Sequence, residues 1–361
     1  MSRKSSWGIC PDYLNMLQRI ASQYLGSGAL SMALQQGVQN LQETYSPAAL
    51  RRRAEKRRNW GFAPEGYTIS VTSACNLNCS YCYYRAGDSS KNKIVHIDFN
   101  KLGIVLREMK ENFGLRFVTL TGGETTFYLR EIAVRWPDIT FYAYTNGKLL
   151  NAEYCRNLEE LGNVMIALTI VGTEAIHENV RPDNYIEVMA AVENLQRTSL
   201  VWGFSLTESR INYHEIVENN FLDFLMRFRP FFLRMIPFMP VGRERDNLAL
   251  TLDEYSRIAE VIKVKRKRNN VPIHDYINDP NIGFGCMAGG VRSFLITEQF
   301  KLSPCVFMDT LTPPLEFRDK NSNLMKILRD HPYFRRARNL TAYFPRCIIL
   351  ENNNWRKDIV L

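Results

Sequence analysis

Cys75–Asn76–Leu77–Asn78–Cys79–Ser80–Tyr81–Cys82 sets three thiols within eight residues, directly after an alternating apolar stretch, Tyr67, Ile69 and Val71, that reads as a strand. A loop leaving the C-terminal end of a strand can fold three closely spaced sulfurs around one face of an iron–sulfur cube, whereas tetrahedral zinc usually takes four protein ligands in paired knuckles. Three thiolates on a four-iron cube leave one iron without a protein ligand, where a small molecule can bind. Two other readings stay open on these residues alone: a zinc loop that borrows a fourth cysteine, and three unpaired core cysteines.

Working outward, short apolar segments near 67–73, 116–121, 139–145, 163–170, 200–206 and 231–238 alternate with helical stretches. That alternation predicts a parallel sheet of (β/α) units, with catalytic loops at the C-terminal strand ends. Polar elements close several of these strands: Thr121–Gly122–Gly123–Glu124, Thr145–Asn146–Gly147, and Leu168–Thr169–Ile170–Val171–Gly172 with His177 and Arg181 beyond. Each of the glycine-containing pieces, taken alone, is an ordinary turn.

Taken in order, the three-cysteine loop with Tyr81 before its last cysteine, the Gly-Gly-Glu element, the Thr-Asn-Gly element, Thr169 to Gly172, and Ile236 to Arg243 resemble the radical S-adenosylmethionine (radical SAM) enzymes over roughly residues 67–243. The resemblance implies a partial (β/α)6 TIM-like barrel and a [4Fe-4S] cluster on Cys75, Cys79 and Cys82. It implies a SAM site at Gly122, Gly123, Glu124, Thr145, Asn146, Thr169 and Arg181, with the glycines letting backbone approach the cofactor and the Glu124 carboxylate suiting the SAM ammonium. Thr125 stands where the family usually has proline, and Thr169 where serine is commoner.

The tail carries a second set. Cys286–Met–Ala–Gly–Gly, a hairpin-like stretch (Ser293 to Ile296, Phe300 to Leu302), Ser303–Pro304–Cys305 and a lone downstream Cys347 resemble the twitch form of the SPASM/twitch auxiliary-cluster extensions. Phe300 occupies a position where those extensions usually carry glycine. The resemblance implies a second Fe–S cluster on Cys286, Cys305 and Cys347, either with an open site or with a fourth ligand from Asp309, His331 or Cys10. Buried thiols in a small helical tail are the alternative. Cys155 and Cys10 are expected to serve packing.

A chain of 361 residues, 45% hydrophobic, can bury a large core and suits a barrel with additions. The expected division is an N-terminal helical extension at 1–64, the barrel at 65–245 and a small α+β auxiliary-cluster domain at 246–361. Tyr13, Leu17, Ile20 and Tyr24 form one helical stripe, Leu30, Leu34, Val38 and Leu41 another, and Ser46–Pro47 starts a third helix that stops near Gly61. No paired strands show there, so a winged-helix peptide-recognition domain is not expected. No run approaches a membrane span and Met1 to Ser6 lacks an apolar signal core, so a cytoplasmic location is expected, with peripheral membrane contact as an addition. Eight cysteines then argue for metal ligation over disulfides.

The net charge of +9 is concentrated in Arg51–Arg58 beside Trp60 and Phe62, and in Lys263–Arg268. Solvated faces are one reading; an anionic membrane surface, an RNA or an acidic peptide are the partners such runs would meet, with nucleic acid ranked behind because no dedicated RNA-binding domain is visible. Together these features identify the chain as a radical SAM enzyme that makes a 5′-deoxyadenosyl radical and removes hydrogen from an unactivated carbon. The expected substrate is a peptide or small-molecule natural product, served by an electron donor of flavodoxin or ferredoxin type. A lipid or RNA substrate, or a non-catalytic Fe–S or zinc protein that binds nucleic acid, are the alternatives.

Overall fold

The computed structural model describes residues 32–87, 93–218, 220–243, 248–268, 271–276, 286, 288–341, 347–352 and 354–360. The first helical stripe and Cys10 lie outside them. Six strands fall where the apolar segments stand: β1 (Thr68–Ser70), β2 (Phe117–Thr121), β3 (Thr140–Thr145), β4 (Val164–Ile170), β5 (Val201–Glu208) and β6 (Leu233–Pro237). Three more strands of the same sheet come from beyond residue 245: β7 (Ile273–Asp275), β8 (Leu295–Ile296) and β9 (Leu302–Ser303). The sheet runs β7-β6-β5-β4-β3-β2-β1-β8-β9. Pairing is parallel from β7 through to β8, and the β8–β9 hairpin is antiparallel. The tail therefore extends the barrel sheet at both edges, with Thr68 paired to Thr119 on one side and Leu295 on the other.

All seven residues of β4 are buried, as expected of a parallel strand covered on both faces. The helices that cover the sheet have local causes. In the helix Phe99–Phe113, Leu102, Val105, Leu106, Met109 and Phe113 are buried at helical spacing. Asp98 caps it by accepting from the Asn100 and Lys101 amides, and Gly114 ends it at φ 67°. The helix Pro47–Trp60 begins at Ser46, whose side chain accepts from the Ala49 amide, and closes on Gly61 at φ 77°.

The basic run on that helix is divided between packing and solvent. Arg53 is buried and donates to the Phe113 carbonyl at 2.9 Å and the Thr44 carbonyl at 2.7 Å. Arg57 pairs with Glu65 at 3.0 Å, Lys56 lies 4.4 Å over the Trp60 ring, and Phe62 is buried beneath Arg338. In the second run Lys265 is buried against Asp223 at 2.6 Å and Arg266 donates to the Ile273 carbonyl at 2.8 Å. The expectation of membrane contact is thus not supported: the aromatic anchors and several of the cations are committed to the interior. Replacing Arg53 with methionine, which keeps the apolar stem but strands two buried carbonyls, is expected to cost about 2–4 kcal/mol, read as a lower Tm. No described helix is long and apolar enough to cross a membrane.

Candidate functional site

Cys75, Cys79 and Cys82 sit, half-buried and unpaired as thiols, on the loop that leaves β1. The loop is clamped from the end of β6. The Arg243 amide donates to the Cys82 carbonyl at 3.2 Å, and its guanidinium donates to the carbonyls of Cys79 at 2.7 Å and Ala86 at 2.5 Å. Gly242, at φ 85°, makes that approach feasible, since a Cβ there would stand 2.5 Å from the Cys82 carbonyl oxygen. Burial pushes the Cys75 thiol up to about 11, with Glu124 and the other two thiols adding and the Leu77 amide opposing.

The Gly-Gly-Glu element folds against this loop. The Gly123 amide donates to the Thr72 carbonyl at 2.7 Å and the Glu124 amide to the Ala74 carbonyl at 2.8 Å. A Cβ on Gly123 would lie 1.8 Å from the Ala74 carbonyl oxygen, and one on Gly122, at φ 119°, would lie 2.5 Å from Ser70 Oγ. Here the glycines admit one protein loop against another. Glu124 is buried and already holds four donors: Thr126 N at 3.0 Å, Thr126 Oγ1 at 2.6 Å, Thr145 Oγ1 at 2.6 Å and Asn146 N at 3.0 Å. Three of them converge on Oε1 and one on Oε2, which leaves Oε2 an acceptor site. An arriving ammonium would share Glu124 with them. Thr125 compensates for the absent proline by donating its hydroxyl to the Tyr144 carbonyl at 2.6 Å.

Asn146 carries the connection onward. Its Nδ2 donates to Asn76 Oδ1 at 2.8 Å and lies 4.0 Å from Cys75 Sγ, while its own carbonyl accepts from Asn184 at 3.3 Å. Thr169, next to last in β4, stands opposite Ser205 of β5. His177 is a brace: its Nδ1 accepts from the Val171 amide at 3.3 Å, and burial, then Arg181, pull it down to about 4. Arg181 is half-buried beside Cys79, Tyr81 and Cys82. Burial opposes its charge, and those neighbours more than offset the opposition. Its Nε has no hydrogen-bond partner among the described residues. A guanidinium with a free Nε beside the Cys79 and Cys82 sulfurs fits an anionic cluster and a ligand carboxylate at this place.

Cys286, Cys305 and Cys347 pack against one small core that includes Met239, Val241, Met308 and Trp355. The Gly289 amide donates to the Pro304 carbonyl at 2.9 Å, which draws the Cys286 segment onto Cys305. Burial, then Cys286, and also Cys347 push the Cys305 thiol up. Phe300 keeps the left-handed backbone of the usual glycine at φ 57°, at a cost of about 1–2 kcal/mol, and its buried ring packs 5.3 Å from Phe317. Asp309 instead pairs with Arg356 at 3.2 Å and His331 accepts from the Tyr333 amide at 3.3 Å; neither lines the cavity described next. Cys155 is core.

One cavity of about 490 Å³ is lined by Cys75, Cys79, Cys82, Gly122, Gly123, Glu124, Thr145, Asn146, Thr169 and Arg181 and also by Cys286, Cys305 and Cys347. Among the described residues no three Cys, His, Asp or Glu side chains are close enough to enclose a single metal ion. A cluster instead takes thiolates at separate corners. Tyr83 stands between the two sets, bonded to Thr121 Oγ1 at 2.6 Å and edge-on to Phe307 at 5.2 Å. Tyr84 and Ser70 both donate to Glu298 on the β8–β9 turn, Ser70 at 2.8 Å. Arg243, Asn76 and Glu298 were not legible as site residues, because each acts through a partner distant in sequence.

Residues 69–218 match the family model described as the Radical SAM superfamily. The chain is 25% identical over 161 residues to the sporulation killing factor maturation protein SkfB of Bacillus subtilis, covering 43% of this chain and 38% of SkfB. It is 29% identical over 212 residues to GTP 3′,8-cyclase of Clostridium perfringens, covering 55% of this chain and 62% of that enzyme. The chain thus spans from about two fifths to about three fifths of these curated relatives. Its fold is that of Streptococcus suis SuiB bound to its precursor peptide SuiA, with a TM-score of 0.61 at 16% identity over 79% of this chain and 69% of SuiB.

Proposed function

We propose a peptide-modifying oxidation for this chain, which belongs to the radical SAM superfamily through its residues 69–218. The observation that carries the reading is the single cavity faced by both cysteine sets and by the Gly-Gly-Glu, Thr-Asn-Gly, Thr169 and Arg181 positions. Cys75, Cys79 and Cys82 would hold a [4Fe-4S] cluster and the neighbouring loops SAM; together these supply, when bound, a 5′-deoxyadenosyl radical that takes hydrogen from an unactivated carbon.

The protein's own part is placement. Arg243 and Gly242 fix the cysteine loop, Glu124 fixes the Thr-Asn-Gly loop against it, and Arg181 offers a charged fork to a carboxylate. Half-buried walls such as Tyr83 limit water at the reacting carbon. Cys286, Cys305 and Cys347 would hold a second cluster that accepts the substrate electron or anchors the substrate, with a flavodoxin- or ferredoxin-type donor supplying the first electron. The peptide reading draws on SkfB, named a maturation protein, and on SuiB, seen with a precursor peptide. Similarity to GTP 3′,8-cyclase favours a second reading, an anionic small molecule.

The test presents anaerobically reconstituted, dithionite-reduced protein with deuterated short peptides encoded beside its gene. The expected result is deuterium in the 5′-deoxyadenosine formed and a peptide product lighter by a hydrogen pair. Unlabelled 5′-deoxyadenosine from every peptide, with labelling from a small-molecule acid, would move the reading to the second one.

A further inference from the structure

Arg234 lies on β6 and lines the cavity. Strand register puts it in one row with the SAM-site residue Thr169: Thr169 pairs with Ser205, Ser205 with Arg234, and Arg234 with His274, across β4, β5, β6 and β7. All four face the same space. The guanidinium carbon stands 4.9 Å from the centre of the Tyr142 ring and 4.8 Å from that of Tyr276, whose hydroxyl it contacts as a donor. Two aromatic faces thus hold a planar, permanently charged fork in place, which lowers the entropy lost when it engages a ligand.

The other ionised groups of the cavity have protein partners or, as with Arg181, lie beside the first cysteines. Glu65 pairs with Arg57 at 3.0 Å and Arg292 at 2.9 Å, Arg53 bonds backbone carbonyls, Glu124 holds its loop, and Arg181 sits with the first cysteines. His274 is uncharged at neutral pH, since burial, with Arg234 and Arg266 adding, pulls it down to about 3. Arg266 approaches from the helix Leu252–Arg268, bonded to the Ile273 carbonyl. Asp275 alternates to the other face of β7, off the cavity lining. Arg234 therefore brings positive charge to this wall of the cavity.

We propose that Arg234 anchors a carboxylate of the substrate. The proposal rests on the peptide reading and deepens it: the carboxylate belongs to an acidic side chain or to a free C-terminus. A bidentate guanidinium–carboxylate contact matches the fork, while Thr169 and Ser205 lie along the same row to complete the polar wall.

The test uses cluster-loaded, SAM-bound protein and measures dissociation constants by ligand-observed NMR for two matched pairs of probes. N-acetylglutamate amide against N-acetylglutamine amide reports a side-chain carboxylate; N-acetylglycine against N-acetylglycinamide reports a terminal one. Wild type is expected to hold one acid about 10-fold or more tighter than its amide twin. Arg234→Gln should bring that ratio close to one, and Arg234→Lys, which keeps charge without the fork, should leave an intermediate ratio. SAM affinity by calorimetry should be unchanged in both variants. Equal binding of acids and amides to wild type overturns the proposal, as does a preference that survives in Arg234→Gln. Loss of SAM affinity alongside the preference would assign Arg234 to the SAM carboxylate instead, and displacement by inorganic phosphate at lower concentration than either acid would make the anion a phosphoryl group. Acid preference with hydrogen transfer from no peptide keeps the anchor and sinks the peptide reading; hydrogen transfer from peptides lacking any carboxylate sinks the anchor alone.

Discussion

Protein with Cys75, Cys79 and Cys82 all replaced by alanine is expected to form no 5′-deoxyadenosine above the level without enzyme, under conditions where wild type consumes SAM. The three sulfurs face the cavity, and their described hydrogen-bond contacts are few, the Leu77 amide and the long 4.0 Å approach of Asn146, both to Cys75. Their loss should therefore spare the fold, at about 1 kcal/mol or less per site, so that Tm falls by only a few degrees. The clamp by Arg243 uses backbone carbonyls and survives the substitutions. Iron should not vanish: Cys286, Cys305 and Cys347 sit on their own core and are expected to retain a cluster with a reduced-state electron paramagnetic resonance signal, removed by further replacement of Cys286 and Cys305. Undiminished 5′-deoxyadenosine from the triple variant would remove the cluster assignment. A triple variant without any iron would make the tail cysteines packing residues.

The second large effect is at Glu124. Alanine there strands four buried donors at once, an expected cost of about 3–5 kcal/mol. Because Asn146 loses its amide partner and itself holds Asn76 beside Cys75, the damage should reach the cysteine loop. SAM affinity, cluster retention and Tm are then expected to fall together, with SAM binding weakened on the order of 10- to 100-fold or more. A carboxylate whose sole task were to meet an ammonium would behave differently: calorimetry would show weaker SAM binding while Tm and iron content stayed at wild-type values. That split pattern in Glu124→Ala would reject the bracing role.

Most of the barrel was legible because buried parallel strands are near-continuous apolar runs, as at Val164 to Ile170, bounded by turn elements that also carry the chemistry. Several of the candidate positions stand at or near strand ends, Gly122 to Glu124 after β2, Thr145 at the end of β3 and Thr169 near the end of β4. What escaped has physical causes. β7 is three residues long, too short for any periodicity, and the hairpin expected at Ser293 to Ile296 and Phe300 to Leu302 forms as β8 and β9, but nothing in its sequence announces that β8 pairs with β1, far away in the chain. A run of cations reads as solvated, yet Arg53 is turned inward to carbonyls that no local pattern announces. The positive φ of Phe300 is a property of the hairpin and cannot be seen in the side chain. Glu298 looks like an ordinary turn residue until Ser70 and Tyr84 are placed beneath it.

The bond between Ser70 and Glu298 joins positions 228 residues apart. During synthesis the strand bearing the cysteine loop therefore leaves the ribosome long before the hairpin that closes its outer side, and throughout that interval β1 presents an open sheet edge beside reactive thiols. Such long-range closure is slow to form. The order of emergence consequently separates two stages in the life of this chain: an early one, in which the outer side of β1 is open, and a late one, in which β8 and Glu298 cover it.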